Sequence, residues 1–285
     1  MDLKELRNEI DEIDDQLIRL FVQRMEVSAR IADYKKENSL PIFVPSREQE
    51  KLLDVAGKAG EDMAVYSRVL YDLLFELSRG YQSKRNAART ALYARISDAI
   101  TNTPLLPKVG AVACNGSEEA ELVCQKLFGA CHALPFKNTE GILSAVAQGL
   151  CRYGLIPVEQ SVKQIYDQLT ERNLYMIRSF RLSDQSQYIC VCRDLEIYPG
   201  ADRSSIRMSL SDRPGALYKV LARLYTLGIN VVRLESRPIA QQNFQGMFYF
   251  DLQTSVYSDE FVQLICELDD LCRDFSYLGS YSEVV

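Results

Sequence analysis

Two cations interrupt a row of apolar residues near the N-terminus. The apolar positions recur in steps of four and three, which is typical of one face of a long packed helix; they are Leu6, Ile10, Ile13, Leu17, Leu20, Val27 and Ile31. Arg24 stands where the next apolar residue is due, and Lys35 follows three turns later on nearly the same face. An unpaired buried charge is very costly and no acidic residue shares this face, so we expect the two cations to bind an anionic small molecule.

Further polar side chains occur where they could reach the same site. Arg47 and Glu48 open the predicted second helix, and Ser78 and Gln82 lie four residues apart on one face of the third. Guanidinium groups grip carboxylates in a bidentate manner, so this set suits a dianion. Because no nucleophile, general base or metal-ligand set accompanies it, the predicted chemistry is an intramolecular rearrangement promoted by positioning and electrostatics, without a cofactor.

The first helix is predicted to be too long for a monomer. About 36 helical residues span roughly 54 Å at 1.5 Å per residue, more than a compact segment of 85 residues accommodates, so we expect a helical dimer. Arg7 lies 17 residues before Arg24 and about 100° away round the helix, so it does not serve the same site in one chain. In an antiparallel dimer it would reach the site of the other protomer.

Four short segments of this region stand in the order LRNEIDEID, QRMEVSARIADYKK, PSREQEKLL and ELSRGYQ. They resemble the active-site motifs of the all-α class of chorismate mutases, which implies conversion of chorismate to prephenate. The residues that would hold the two carboxylates are Arg24, Arg47, Ser78 and Arg7 of the partner subunit. Glu48 would bind the ring hydroxyl, and Lys35 and Gln82 the ether oxygen. Many members carry an acidic residue where this chain has Val44, which leaves Glu48 alone on the hydroxyl.

The periodicity of the chain changes twice along its length. Residues 1–85 predict an all-α domain, in which a capping box at Ser46–Gln49 opens the second helix and the third runs from about Ala64 to Gln82. The residues expected to face inward on the third helix are Leu70, Leu74, Leu77 and Tyr81. Residues 86–106 predict a helical connector, residues 107–195 a small α/β lobe, and residues 203–285 a ferredoxin-like βαββαβ sandwich.

The last segment contains the runs Asp212-Arg213-Pro214-Gly215-Ala216-Leu217, Gly228-Ile229-Asn230 and Glu235-Ser236-Arg237-Pro238. They resemble the ACT regulatory domain of prephenate dehydratases, where such a turn and strand line a phenylalanine site between two protomers. Glycine at a helix N-terminus lets backbone approach a ligand, and the free N–H groups there suit a carboxylate. The residues expected to contact phenylalanine as effector are Gly215, Ala216, Leu217, Asn230, Glu235 and Ser236.

The middle segment contains the run YGLIPVEQS at residues 153–161. This run resembles the Y-G-V-V-P-I-E-N-S of the prephenate dehydratase catalytic domain, with Gln160 in place of asparagine. Asn115-Gly116-Ser117-Glu118-Glu119 replaces the family's glycine-rich start, and Ser186, Gln187 and Tyr188 replace its catalytic T-R-F, so the arginine is missing. Two predicted strands follow each other directly where the family has a second lobe. We therefore expect a truncated, vestigial dehydratase lobe.

Composition limits the other possibilities. A chain of 285 residues with 47% hydrophobic residues predicts two or three domains, and a net charge of −6 with a pI near 5.1 argues against nucleic-acid binding. No apolar run has the length of a membrane span or a signal peptide, so a cytoplasmic location is expected. The eight cysteines lack C-x-x-C spacing and are expected to be reduced, mostly buried thiols. The cysteine spacing predicts no zinc site, and nothing around His132, the only histidine, supports a catalytic role for it.

The three segments together resemble the bifunctional chorismate mutase/prephenate dehydratase family, and three functions stay open. The first is a chorismate mutase regulated by phenylalanine, with dehydratase activity lost. The second is a bifunctional enzyme that also makes phenylpyruvate. The third is a non-catalytic phenylalanine-sensing scaffold, against which the complete set of cations argues. We expect removal of residues 200–285 to abolish phenylalanine sensitivity and to spare most turnover.

Overall fold

The computed structural model describes most of the chain, in two units. The described residues are 2–38, 40, 44–86, 90–108, 110–129, 131–158, 161–183, 186–211, 214–239, 245–272 and 274–284. Several predicted positions lie outside them: 41–43 in the break after the first helix, Glu159 and Gln160, 184–185, Asp212 and Arg213. Contacts divide the chain into Met1–Ala88 and Arg89–Val285, and each unit is described by itself.

The first unit is helical, as predicted. It consists of α1 (Leu3–Glu37), α2 (Pro45–Ala59), a 3₁₀ turn (Glu61–Met63) and α3 (Ala64–Asn86). Asp2 caps α1: its side chain accepts from the backbone N–H groups of Lys4 and Glu5, and the Glu5 carboxylate accepts from the Asp2 N–H at 2.8 Å. This reciprocal capping satisfies backbone donors that a helix N-terminus otherwise leaves unpaired.

The second helix does not begin with the predicted capping box. Its N-cap is Val44, which makes no side-chain cap, and Pro45 is its first residue. Proline suits the first helical position because its φ is already helical and its missing N–H is not needed there. The prediction of a start at Ser46 was therefore wrong. The third helix extends four residues beyond the predicted end at Gln82.

The apolar row of α1 is exposed in the single chain. All seven of its members are accessible to solvent: Leu6, Ile10, Ile13, Leu17, Leu20, Val27 and Ile31. The residues of α1 that are buried lie on a different face, at Ser28, Ala29 and Ala32. On α3, Leu70 and Tyr81 are also exposed, although they were predicted to face inward. The helical unit therefore carries more apolar surface than its own core covers.

The second unit opens with the connector helix α4 (Ala91–Asn102) and continues as a mixed α/β structure. Its strands are β1 (Ala111–Cys114), β2 (His132–Pro135), β3 (Tyr153–Val158), β4 (Tyr175–Ser183), β5 (Ser186–Cys192), β6 (Arg203–Ser211), β7 (Asn230–Pro238), β8 (Gln245–Gln253) and β9 (Phe275–Val284). Its further helices are α5 (Glu118–Phe128), α6 (Thr139–Ala147), α7 (Lys163–Arg172), α8 (Ala216–Thr226) and α9 (Asp259–Leu271). Strand β2 was not predicted.

The nine strands that the structure describes form one sheet in the order β2-β1-β3-β5-β4-β9-β6-β8-β7. Strand β1 pairs parallel with β2 and β3, whereas β5 pairs antiparallel with β3 and β4. The last four strands in the order are antiparallel to one another, and with α8 and α9 they have the βαββαβ element order of a ferredoxin-like sandwich. Ser183 pairs with Ser186, so β4 and β5 form a hairpin with no lobe inserted between them.

The lobe and the sandwich are continuous through one strand pair. Strand β4 pairs parallel with β9, with Arg178 opposite Ser282. Gly279 sits at this junction with φ +128°, and a Cβ there would lie 2.3 Å from the Met176 carbonyl oxygen. Only glycine tolerates both that backbone conformation and that approach. The sequence prediction treated the two parts as separate domains and did not foresee the shared sheet.

The hydrophobic core also crosses the junction. Met247, Tyr249 and Tyr281 of the sandwich belong to the same buried cluster as Ile142 and Tyr166 of the lobe. Removal of residues 200–285 would therefore strip apolar cover from the lobe, at a cost that scales with the exposed area. The expected effect of this deletion on turnover and on phenylalanine sensitivity stays a prediction.

Polar contacts tie α7 to the open face of the sandwich. Asp167 accepts hydrogen bonds from Arg207 Nε at 2.8 Å and from the Tyr249 hydroxyl at 2.9 Å. The Tyr166 hydroxyl donates to Asp251 Oδ1 at 2.6 Å, and burial raises the pKa of that carboxyl. Buried polar groups in such a network are satisfied only when both parts of the unit are in place.

One pair of cysteines departs from the prediction of reduced thiols. Cys124 on α5 and Cys131, seven residues later, form a disulfide whose Cα atoms are 6.7 Å apart. The turn between α5 and β2 brings them within the range that a disulfide spans. Among the other cysteines whose side chains the structure describes, five are free, and all except the half-buried Cys272 are buried; they are Cys114, Cys151, Cys190, Cys192 and Cys272. Across the described residues, no helix combines the length and apolar character needed to cross a membrane.

Candidate functional site

Arg24 joins the first and third helices of the helical unit. Its Nη1 donates to the Leu74 carbonyl oxygen at 3.2 Å and to the Ser78 hydroxyl, and its guanidinium lies over the Phe75 ring at 5.7 Å. Burial lowers the pKa of Arg24, and electrostatic interactions with Tyr71 and Glu48 oppose this shift. Within the described residues no carboxylate lies within ion-pair distance of this guanidinium, so a half-buried cation keeps donors for an anion.

Gln82 and Ser28 extend the same contact one turn further along the two helices. Gln82 Nε2 donates to Ser28 Oγ at 2.9 Å, and both side chains are buried. Gln82 Oε1 is buried too, and it has no hydrogen-bond partner among the described residues. Rotation of the amide by 180° would let Oε1 accept from the serine hydroxyl and turn the NH₂ group to where the unpaired atom now lies. The Gln82 amide thus keeps one hydrogen-bonding atom without a partner among the described residues. Buried polar atoms of this kind seldom lack a hydrogen-bond partner.

Glu48 is held by an arginine that the sequence analysis overlooked. Arg79 is 6% exposed and makes ion pairs with both Glu48 and Glu76. The i,i+3 spacing of Glu76 and Arg79 was visible in the sequence, but the link to Glu48 spans 31 positions and follows only from packing of α2 on α3. Arg79 fixes the orientation of the Glu48 carboxylate, and it neutralises part of its charge.

Lys35 completes the group on α1. Its side chain is half-buried, and burial lowers the pKa of its ammonium from the ordinary value of 10.5, against the charge of Glu48. The same carboxylate acts on Arg24, so Glu48 is the anion common to both cations. The sequence analysis found no acidic residue on the α1 face, but Glu48 of α2 acts on both cations.

Two predicted site residues lie apart from this group in the single chain. Arg47 is exposed and pairs with Glu50 at 2.9 Å on the surface of α2. Arg7 is exposed on the first turns of α1, about 25 Å along the helix axis from Arg24 at 1.5 Å per residue. Val44 is half exposed at the N-cap of α2 and offers no polar atom from its side chain. Within one chain the structure therefore brings together Arg24, Lys35, Glu48, Ser78 and Gln82.

In the second unit, the three residues that replace the dehydratase motif are engaged in internal hydrogen bonds. Ser186 Oγ donates to Glu119 Oε2 at 2.7 Å, and the Tyr188 hydroxyl lies 3.0 Å from Ser117 Oγ. Gln187 Nε2 donates to Ser179 Oγ at 2.9 Å. These side chains fasten β5 to its neighbours and present no cation to a substrate.

The predicted effector residues fall into two groups. Gly215 is the N-cap of α8 with φ +86°, and Ala216 and Leu217 open that helix, half-buried. Glu235 instead reaches the lobe, where its Oε2 accepts from Ser161 Oγ at 2.5 Å.

The other two predicted effector residues are exposed on β7. Asn230 donates to the Gln253 side chain at 3.1 Å, and Ser236 is accessible to solvent. The structure therefore commits the Glu235 carboxylate to an internal contact and leaves Asn230 and Ser236 on the edge strand of the sheet.

The sequence of the helical unit matches the family model of chorismate mutase type II over residues 6–83. The helical unit is a chorismate mutase domain. Every residue predicted for its site falls within the match: Arg7, Arg24, Lys35, Arg47, Glu48, Ser78 and Gln82.

Whole-chain similarity extends the comparison beyond the chorismate mutase domain. A bifunctional chorismate mutase/prephenate dehydratase of Aquifex aeolicus is 21% identical over 375 aligned positions, which cover 100% of this chain and 99% of the relative. The alignment is longer than this chain of 285 residues, so stretches of the relative have no counterpart here. A prephenate dehydratase of Amycolatopsis methanolica is 36% identical, but the match covers only 29% of this chain and 27% of the relative.

The fold of the second unit is that of prephenate dehydratases. The structure of a prephenate dehydratase in complex with L-Phe, from Arthrobacter aurescens, covers 60% of this chain and 90% of its own, with a TM-score of 0.52 and 18% identity. At this identity the likeness establishes the fold alone. The chain thus joins a helical chorismate mutase domain to a mixed α/β sheet of the dehydratase type.

Proposed function

We propose that the chain catalyses the rearrangement of chorismate to prephenate in cytoplasmic aromatic amino-acid biosynthesis. The observation that carries the proposal is the half-buried guanidinium of Arg24, which is held by Ser78 and the Leu74 carbonyl and has no carboxylate partner within the described residues. A cation fixed in this way stabilises a bound carboxylate and costs little reorganisation when the anion arrives. The family match over residues 6–83 supports the same activity.

We assign roles to the remaining residues of the site from their hydrogen-bond donors and acceptors. Lys35 and the amide NH₂ of Gln82, once rotated, donate to the ether oxygen, where negative charge develops as the C–O bond breaks. Glu48, oriented by Arg79, accepts from the ring hydroxyl. No proton is transferred, so the rate enhancement comes from holding the reactive conformer and from stabilising the developing charge.

We propose further that the active form is a homodimer. The exposed apolar row on α1 is the face that a second α1 would cover, since isolated helices with such a stripe bury it against a partner. The dimer supplies Arg7 of the partner subunit to the substrate. It also offers the environment in which Arg47 leaves its surface pair with Glu50, which is worth little when exposed.

The second unit is proposed to have lost dehydratase activity and to bind phenylalanine as a feedback effector. Loss of activity is supported by the β4–β5 hairpin, the missing arginine and the internal hydrogen bonds of Ser186 and Gln187. Effector binding is supported by the βαββαβ sandwich and by Gly215 at the start of α8.

Steady-state turnover of chorismate in two matched variants tests the proposal. Arg24→Gln removes the cation and should lower kcat/KM about 100-fold, as loss of one preorganised charge in an active site does. Arg68→Gln makes the same change on exposed α3 surface and should leave turnover unaltered. Equal turnover by the two variants would contradict a site at Arg24.

A further inference from the structure

A cavity in the second unit lies where three parts of the chain meet. It has a volume of about 290 Å³ and lies between α4, the end of α7 with the start of β4, and the first residues of β9. Its floor is apolar, with Leu169, Leu174 and Tyr277 buried. The volume is close to the lower end of the range found for small-molecule sites. None of the residues placed in the chorismate or phenylalanine sites lines it.

Arg95 of α4 lies in the wall of this cavity. Arg95 donates to the Tyr175 hydroxyl, and its guanidinium lies over the Tyr175 ring at 5.7 Å. No carboxylate within the described residues forms an ion pair with it. A guanidinium has five N–H donors, and one neutral hydroxyl satisfies only one of them, so Arg95 is available to an anionic group at the cavity wall.

Another part of the cavity lining carries hydrogen-bond acceptors. Thr170 and Asn173 line the cavity at the C-terminal end of α7, where the helix dipole favours positive charge and hydrogen-bond donors. A bound carboxylate is therefore expected at Arg95 and away from the end of α7. The apolar part of a ligand would rest on Leu169, Leu174 and Leu278.

We propose that this cavity is a binding site for a small monocarboxylate with an apolar or aromatic body, with Arg95 as its anion-binding residue. The site uses α4, the helix that follows the chorismate mutase domain in the sequence, as one of its walls. It is independent of the proposed chorismate and phenylalanine sites.

Titration calorimetry of the full chain tests this site. The probe is phenylacetate, and 2-phenylethanol serves as its uncharged counterpart. We expect one phenylacetate per chain and binding of the alcohol at least about 10-fold weaker, because a charge-assisted hydrogen bond contributes that much. Phenylpyruvate then tests whether a 2-keto acid can be the source of the carboxylate. Failure of both phenylacetate and phenylpyruvate to bind overturns the proposal.

Four variants locate the binding. Arg95→Gln should weaken phenylacetate about 10-fold, and Ala91→Phe should abolish binding by filling the cavity from an exposed position. Arg193→Gln removes an exposed arginine elsewhere in the unit and should leave binding unchanged. Arg24→Gln should also leave it unchanged, which separates this site from the chorismate site. Equal affinity in Arg95→Gln, Ala91→Phe and the unmodified chain overturns the proposal.

Discussion

The guanidinium of Arg24 on α1 donates to the hydroxyl of Ser78 on α3, across 54 positions of sequence. One turn further along, Gln82 on α3 donates to Ser28 on α1 across the same separation. The two bonds set the register between the helices and point one cation and one unsatisfied amide into the same region. The proposed chorismate site depends on this register more than on any single residue.

The alkaline limb of the pH profile should report Lys35. Burial lowers its pKa below 10.5, so the ammonium loses its proton at lower pH than a free lysine does. Because only the charged form stabilises the ether oxygen, kcat/KM should fall as the pH rises through that lowered pKa. Lys35→Arg keeps the charge at every pH and should remove the limb, whereas Lys58→Arg, on an exposed lysine, should retain it. An identical limb in all three proteins would rule out Lys35 as its source.

Subunit mixing tests the contribution of Arg7 from the second protomer. Arg7→Ala and Arg24→Ala chains should each be inactive as homodimers. After the two are unfolded together and refolded as a mixture, half of the dimers contain one intact site, so activity should return to about a quarter of the unmodified level. If Arg7 acts within its own chain, or not at all, mixing restores nothing beyond the sum of the separate proteins.

The junction between lobe and sandwich should be sensitive to one added methyl group. Gly279→Ala places a Cβ against the Met176 carbonyl and forces an unfavourable φ, so we expect it to cost about 3 kcal/mol of stability. Gly200→Ala is the matched control, since its φ is +83° but nothing lies within 4 Å of the added atom; it should cost about 1 kcal/mol. Urea unfolding of the two variants measures the difference. Equal losses would mean that the sheet yields at the junction.

The helical site could be predicted from sequence because its signals are local. Arg24 interrupts a periodic apolar row, and Ser78 and Gln82 share a face because they are four residues apart. The Glu48–Arg79 pair could not be predicted in the same way, since it depends on how α2 packs on α3. The proposed contribution of Arg7 requires a second chain, which no periodicity within one chain can specify.

In the second unit too, the features that depend on packing between distant segments could not be predicted from the sequence. Element order predicted the βαββαβ sandwich, because each strand and helix has its own hydrophobic period. The parallel pairing of β4 with β9 joins segments that are distant in the sequence. Apart from the glycine at position 279, no local sequence pattern indicates this pairing. The commitment of Glu235 to Ser161 likewise depends on tertiary packing and was missed for that reason.

Analysis of the products formed from chorismate tests the proposed chorismate mutase activity and the proposed loss of dehydratase activity together. The purified full chain is incubated with chorismate, with and without added phenylalanine, and the products are separated by chromatography. We expect that prephenate accumulates well above the uncatalysed rate, that phenylalanine suppresses its formation, and that no phenylpyruvate forms beyond acid-catalysed breakdown of prephenate. Prephenate formation no faster than in buffer would contradict the chorismate mutase assignment, and enzymatic phenylpyruvate would contradict the loss of dehydratase activity.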